Sequence, residues 1–210
     1  MKLIGFIGTE KYDIMHYLSR VLKRLGKEVL MIDASKRKAL TASVPTSHAV
    51  LFDYNGVDFA ANLECLREHA SLSDYDYVLI DFGFQRANKL IDKCDEIWFV
   101  TDEQKHNLMH VRSVKLQATQ PRFAIMRSIS NKRQLSYYLQ LLQGVGITRS
   151  TVFVLQDTTQ NRKAMLNCMY RDLISLKEIT NEMADILAQI IANDFSEKEI
   201  YNAIRALRRG

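Results

Sequence analysis

Only two prolines, Pro45 and Pro121, and eight glycines stand among the 210 residues, and no Pro-, Gly- or Ser-rich stretch or internal repeat divides the chain. With no linker to join two units, one core is expected, and 47% hydrophobic composition is enough to build it. Cysteine is as sparse. Cys65, Cys94 and Cys168 are odd in number, lie far apart and lack the short spacings that hold zinc, so they are expected to be small buried residues. Long apolar runs are missing too: Ile97 to Val100 and Thr151 to Leu155 are strand length, far below the roughly 20 residues a membrane span needs. Met1-Lys2-Leu3 leads into an apolar run without a secretion segment or cleavage site, so a cytoplasmic protein is expected. There is no Gly-x-Ser-x-Gly elbow and no cysteine with a protease signature. His106 and His110 are four apart but lack the glutamate and third ligand of a zinc site.

What is present is alternation. Nearly continuous apolar runs, read as strands buried on both faces, occur at Lys2 to Gly8, Glu28 to Asp33, Tyr77 to Phe82, Glu96 to Thr101, Arg122 to Ser128 and Thr151 to Gln156. Amphipathic stretches predict helices over Ile14 to Leu25, Phe59 to Ala70, Arg86 to Lys93, Gln104 to Ala118, Lys132 to Gln143, Asn161 to Tyr170 and Leu176 to Ala192. A short edge strand from His48 to Asp53 and a turn at Asn55-Gly56 complete the pattern. The expected fold is α/β: a doubly wound, mostly parallel sheet of six to eight strands with helices on both faces, over residues 1–195.

Residues 196–210 form their own unit. Ser196 with Glu199 makes a capping box, and Ile200, Ile204 and Leu207 share one face of a helix that ends in Arg205, Arg208 and Arg209. It suits docking on its own domain, a partner protein, or peripheral contact with an anionic membrane. The formal charge of +5 gathers partly in loops: Lys36, Arg37 and Lys38 follow one strand, Arg127, Lys132 and Arg133 another, and Arg162 and Lys163 begin a helix. In a parallel sheet such loops emerge at one end. There they could meet nucleotide phosphates, nucleic acid or an acidic partner, or simply be solvated surface charge.

Near the amino terminus "GFIGTEKYD", Gly5 to Asp13, lies between the first apolar run and the first helix. A phosphate cradle reads Gly, four residues, Gly, Lys, then Ser or Thr. Gly5 and Lys11 keep that spacing, but Glu10 replaces the second glycine and Tyr12 the hydroxyl. With "GKEVLMIDAS", "YDYVLIDFG", "CDEIWFVTDEQKHNL", "RFAIMRSI" and "FVLQDTTQNRKAMLNCMY" following in order, the chain resembles the MinD/ParA family of P-loop ATPases over roughly residues 1 to 192. The family loop reads Gly-Lys-Gly-Gly-x-Gly-Lys-Thr-Thr, on which Gly5, Gly8 and Lys11 coincide.

The resemblance implies a nucleotide site built from Gly5, Gly8, Lys11, Asp33 and Asp81, with Asp81 on the magnesium side. Its departures fall on the chemistry. Phe6 stands at the signature lysine that reaches across a nucleotide-sandwiched dimer, and Tyr12 at the magnesium-binding hydroxyl. Ser35 replaces the second aspartate, Arg127 the adenine-contacting asparagine, and Gln156 the proline of Pro-x-Asp. Glu10 sets a carboxylate beside the expected phosphate, where at ~4 Å and an effective dielectric of ~20 each unit-charge repulsion is about 4 kcal/mol.

Lys11 is therefore either a phosphate ligand or a helix-start lysine paired with Glu10 or solvent, and Asp33 and Asp81 are metal-side carboxylates or loop caps. Gly5 and Gly8 read as turn glycines in both cases. The expectation is no cofactor, or ATP or ADP held with little or no magnesium. The implied role is a catalytically impaired ATPase relative serving as a binding, localisation or regulatory module for a division, partition, pilus or secretion assembly. Its partner would be a protein, and a homodimer is conceivable. A divergent active ATPase and a nucleic-acid-binding relative are the alternatives.

Overall fold

The computed structural model describes residues 1–45, 51–62, 72–129, 135–170 and 174–209. Eight strands form one sheet: β1 (Lys2–Gly8), β2 (Val29–Asp33), β3 (Leu51–Tyr54), β4 (Val57–Ala60), β5 (Tyr77–Asp81), β6 (Glu96–Thr101), β7 (Arg122–Arg127) and β8 (Val152–Leu155). Their order is β3-β4-β2-β5-β1-β6-β7-β8, and every pairing is parallel except the β3–β4 hairpin at one edge. All residues of β2, β5 and β6 are buried, which is why these strands read as unbroken apolar runs.

The two faces of the sheet carry separate cores. On one, Ile4, Phe6, Met31, Leu79, Trp98 and Ile125 meet helices α1 (Tyr12–Arg24), α5 (Thr159–Tyr170), α6 (Asn181–Ile191) and α7 (Glu197–Arg209). On the other, Leu3, Ile7, Leu30, Ile80, Ile97 and Phe99 meet α3 (Lys105–Ser113) and α4 (Leu135–Leu142). The single-turn α2 (Ala39–Ala42) follows β2. The alternation of side chains along each strand feeds both layers.

The six predicted strands agree with the observed ones to within a residue at each end. The edge strand is β3, and residues 48–50 of its predicted start lie outside the described residues. Asn55 and Gly56 both have positive φ, +58° and +76°, which makes the tight β3–β4 turn. That hairpin corrects the helix expected over Phe59 to Ala70: Phe59 and Ala60 are in β4, and residues 63–70 lie outside the described ones. The alternating Val57 and Phe59 face the core, a period-two signal masked by the helix formers that follow.

The helix expected over Arg86 to Lys93 is also corrected, since only a 3₁₀ turn at Ile91–Lys93 forms. Side chains compete with the helix there: Asn88 Oδ1 accepts from the Leu90 amide at 2.9 Å, and Gln85 Nε2 donates to the Ala34 carbonyl at 2.5 Å. The helix expected from Leu176 starts instead at Asn181, where Thr180 caps it by accepting from the Met183 amide. Helix α3 ends at Ser113 rather than near Ala118, and α4 is described from Leu135, with 130–134 outside the described residues.

The α7 capping box is present, with Glu199 Oε2 accepting from the Ser196 amide at 2.9 Å. Its face of Ile200, Ala203 and Ile204 is buried in the first core, and Arg208 donates to the carbonyls of Ile179 and Thr180 at 3.1 Å. Among the described residues no helix is long and apolar enough to cross a membrane. Cys94 and Cys168 are buried thiols, each pushed up to about 12 by desolvation, and Cys65 lies outside the described residues.

Candidate functional site

Parallel strands deliver their carboxyl ends to one rim of the sheet, and the residues singled out in the sequence meet there. Asp33 and Asp81 are register partners at the ends of β2 and β5, and Phe6 is opposite Asp81 on β1. Lys11 precedes α1 directly, so the connection from β1 is only Thr9 to Lys11.

The backbone of "GFIG" is strand, as the apolar run over Lys2 to Gly8 predicts, so the cradle positions Gly5 to Gly8 lie within β1. Gly5 is a mid-strand residue where an added Cβ would lie 2.7 Å from Ile97 Cδ1 and 2.9 Å from the Phe82 ring, so close packing rather than a turn requires it. Gly8 ends the strand at φ +124°, and a Cβ there would sit 1.9 Å from the Val100 carbonyl oxygen. The Gly8 amide donates to Gly83 O at 2.7 Å and the Thr9 amide to Val100 O at 2.8 Å. Two amides that the resemblance would aim at a phosphate are thus bonded to neighbouring chain.

Lys11 does not pair with Glu10 and does not face solvent. It is 3% exposed, and its ammonium lies 2.8 Å from Asp81 Oδ1, 3.2 Å from Gly8 O and 3.1 Å from Thr9 O. Those partners match the three protons an ammonium can donate. Glu10 turns the other way, 3.6 Å from Arg37 across an exposed gap. Asp81 also accepts from the Gly83 amide at 2.7 Å, closing the loop after β5.

Asp33 is equally occupied. Oδ1 accepts from the Ser35 amide (3.0 Å) and hydroxyl (2.6 Å), and Oδ2 from the Thr41 amide (2.8 Å) and hydroxyl (2.7 Å). It therefore binds the start of α2 as a loop cap. Phe6 is fully buried in the sheet, and Tyr12 is 2% exposed, its phenol raised above the usual tyrosine range first by desolvation and then by Asp13.

Arg127 is 2.5 Å from Asp13 Oδ1, at the start of α1, with Asp13 itself 1% exposed. The sequence offered no signal for this pair, whose members are 114 positions apart. Two hollows flank the short connection, and Thr9 and Glu10 line both. The smaller, about 370 Å³, holds Arg127, Gln156, Asp157 and Asn161. The larger, about 1230 Å³, lies between the loops after β2 and β5 and helix α3, and holds Phe84, Arg86, His106 and His110. Among the described residues no three His, Cys, Asp or Glu side chains gather as a metal site.

A parallel sheet in this order, with its charged residues gathered at the carboxyl rim beside β1, defines a P-loop NTPase-like fold. Among solved structures it is matched over 98% of this chain by a ParA family ATPase from Chlorobium tepidum, at a TM-score of 0.60 and 14% identity, covering 99% of that chain. MinD in the Aquifex aeolicus MinC:MinD cell division complex matches at 0.57 and 12% over 100% of this chain and 97% of that one. A ParA of pNOB8 bound to nonspecific DNA matches at 0.52 and 12% over 98% and 99%. No protein-family model and no curated protein sequence matches. The chain has the MinD/ParA-like P-loop fold, as the order of its motifs implied.

Proposed function

We propose that this protein does not turn over nucleotide and serves as a binding, localisation or regulatory module in a cellular assembly, of the division, partition, pilus or secretion kind. The observation that carries this reading is the closure of Lys11 onto Asp81 and two backbone carbonyls. A triphosphate would have to displace a buried ion pair, and removing either partner leaves a desolvated charge.

The residues present do not fit the group that the fold family binds. The amides of Gly8 and Thr9 are bonded within the chain, Phe6 is core, and Tyr12 brings an aromatic ring where a small hydroxyl would meet magnesium. Asp33, bonded four times, has no oxygen lone pair turned to a water. The same residues tie the loops of the rim to one another through Lys11, Asp33 and Asp81.

Calorimetry with ATP and with ADP, each with and without magnesium, tests the reading. No heat of binding above buffer mixing is expected. Magnesium-dependent ATP turnover that disappears in Lys11→Ala and Asp81→Ala would overturn it in favour of a divergent ATPase.

A further inference from the structure

The larger hollow is lined by Thr9 and Glu10 of the candidate cradle but by none of Gly5, Gly8, Lys11, Asp33 and Asp81, and its far wall is the loop after β5 with helix α3. The loop after β5 is pinned by bonds from the Gly83 amide to Asp81, the Gln85 amide to Phe82 O at 3.1 Å, and Gln85 Nε2 to Ala34 O. On it stands Phe84, a half-buried ring that joins neither core. The Arg37 guanidinium lies 5.2 Å above that ring, and His110 meets it edge-on at 4.9 Å. Met109 is exposed nearby, and His110 Nε2 is buried with no hydrogen-bond partner.

The charge around this apolar strip is one-sided. Lys36, Arg37 and Arg86 line the groove against one carboxylate, Glu10, whose contact with Arg37 is long and solvent-exposed. Lys36 and Arg86 have no ion-pair partner among the described residues. The volume, about 1230 Å³, exceeds the 300–1,000 Å³ or so of a small-molecule pocket.

We infer that this groove docks a short acidic peptide segment of a partner protein, with one aromatic or large aliphatic side chain set against Phe84 and Met109 and carboxylates meeting Lys36, Arg37 and Arg86. Aromatic surface framed by three cations, of which Lys36 and Arg86 have no carboxylate partner among the described residues, suits such a ligand by charge and shape. Nucleic acid fits less well, because a duplex needs cations tracking a backbone. Of the other basic residues singled out at the rim, Arg127 is paired with Asp13, Arg162 with Asp157 and Lys163 with Glu178, and Lys38 donates to the carbonyls of Asp33 and Ala61. Lys132 and Arg133 lie outside the described residues. The inference deepens the binding role proposed above and rests on it.

Selection of a random peptide display library on the full-length protein tests it, followed by anisotropy titrations of the enriched peptides. Acidic sequences with a single aromatic or aliphatic anchor are expected, and their affinity should weaken about tenfold or more in Phe84→Ala and in Arg37→Glu/Arg86→Glu. It should be unchanged in Lys163→Glu, on another face. Circular dichroism of these surface variants should match the parent. Enrichment of basic or neutral peptides, no enrichment, or affinities indifferent to the groove substitutions would overturn the inference. Displacement of the peptides by duplex oligonucleotide, or self-association lost in the same variants, would assign the groove to nucleic acid or to a second copy and overturn it as well. The nucleotide calorimetry is read separately, so ATP turnover would unseat the functional reading without touching the peptide result.

Discussion

At the scale of single residues, Lys11 decides between two kinds of protein. A lysine poised in an open cradle contributes little to stability, and substituting it is expected to change folding by about 0.5 kcal/mol or less. Lys11 is instead 3% exposed against an equally buried Asp81. Lys11→Ala should therefore destabilise the protein by about 3–5 kcal/mol, because Asp81 is left buried and unpaired. Lys11→Met with Asp81→Asn should recover much of that loss, since the pair is removed together. Urea denaturation of the three variants measures both, and a stable Lys11→Ala would mean the ion pair is not closed in solution.

His16 supplies a pH test of the same packed region. It is fully buried at 2.8 Å from Ser43 Oγ, and because Ser43 donates to Leu40 O, the His16 Nε2–H is the donor between them. Burial lowers its pKa from 6.5 to about 3. The unfolded chain then binds a proton that the folded one refuses, so stability falls as pH drops from 6.5 toward 3 and is unaffected by this group above 6.5. The slope attributable to His16 is about 1.4 kcal/mol per pH unit within that window. Comparison of chemical denaturation of the parent and His16→Gln from neutral to acid pH should show the difference shrinking along this slope.

At the scale of elements, strands were legible and helix ends were not. A strand buried on both faces must be apolar at every position, a signal that survives without knowledge of its neighbours. Arg86 to Lys93 has helix-forming composition, but Gln85 and Asn88 take up backbone groups that a helix would need, and only the folded neighbours reveal it. The site was legible in part for the same reason. Gly5, Gly8, Lys11, Asp33 and Asp81 could be placed at one rim from strand order, whereas the pairing of Lys11 with Asp81 and of Asp13 with Arg127 depends on contacts no spacing encodes.

The first strand shows the consequence most directly. Aligned to the family's phosphate cradle, "GFIG" invites restoration of the family residues by Phe6→Lys, Glu10→Gly and Tyr12→Thr. Read as β1, the same change places an ammonium at a fully buried position in the first core, between register neighbours Trp98 and Asp81, whose carboxylate Lys11 already occupies. Phe6→Lys alone is expected to lose about 4 kcal/mol or more, the range reached when an unpaired charge is buried. Thermal melting of the single and triple variants checks this, and a triple variant that folds and gains ATP affinity would show the strand assignment to be wrong at its end.

At the scale of the whole molecule, a net charge of +5 proved a poor guide until its partners were known. Of the six basic loop residues singled out in the sequence that lie among the described residues, Lys38, Arg127, Arg162 and Lys163 are held by carboxylates or carbonyls of this chain, and Lys36 and Arg37 line one groove. The same distinction bears on oligomeric state. A nucleotide-bridged dimer requires a cation projecting from this rim to a partner's phosphate, and the position that would supply it is Phe6, inside the sheet. Lys11, the other candidate, is bound to Asp81 and would have to break that pair to reach outward. A ligand shifts an equilibrium only as far as it favours one state over the other, so on the proposed reading, in which the rim does not bind ATP, nucleotide is expected to leave dimerisation unchanged. Sedimentation velocity with and without ATP and magnesium should accordingly return the same molecular mass at every loading concentration. A nucleotide-dependent rise in mass would require the rim to open around a phosphate, and with it the exchange of Asp81 for that phosphate at Lys11.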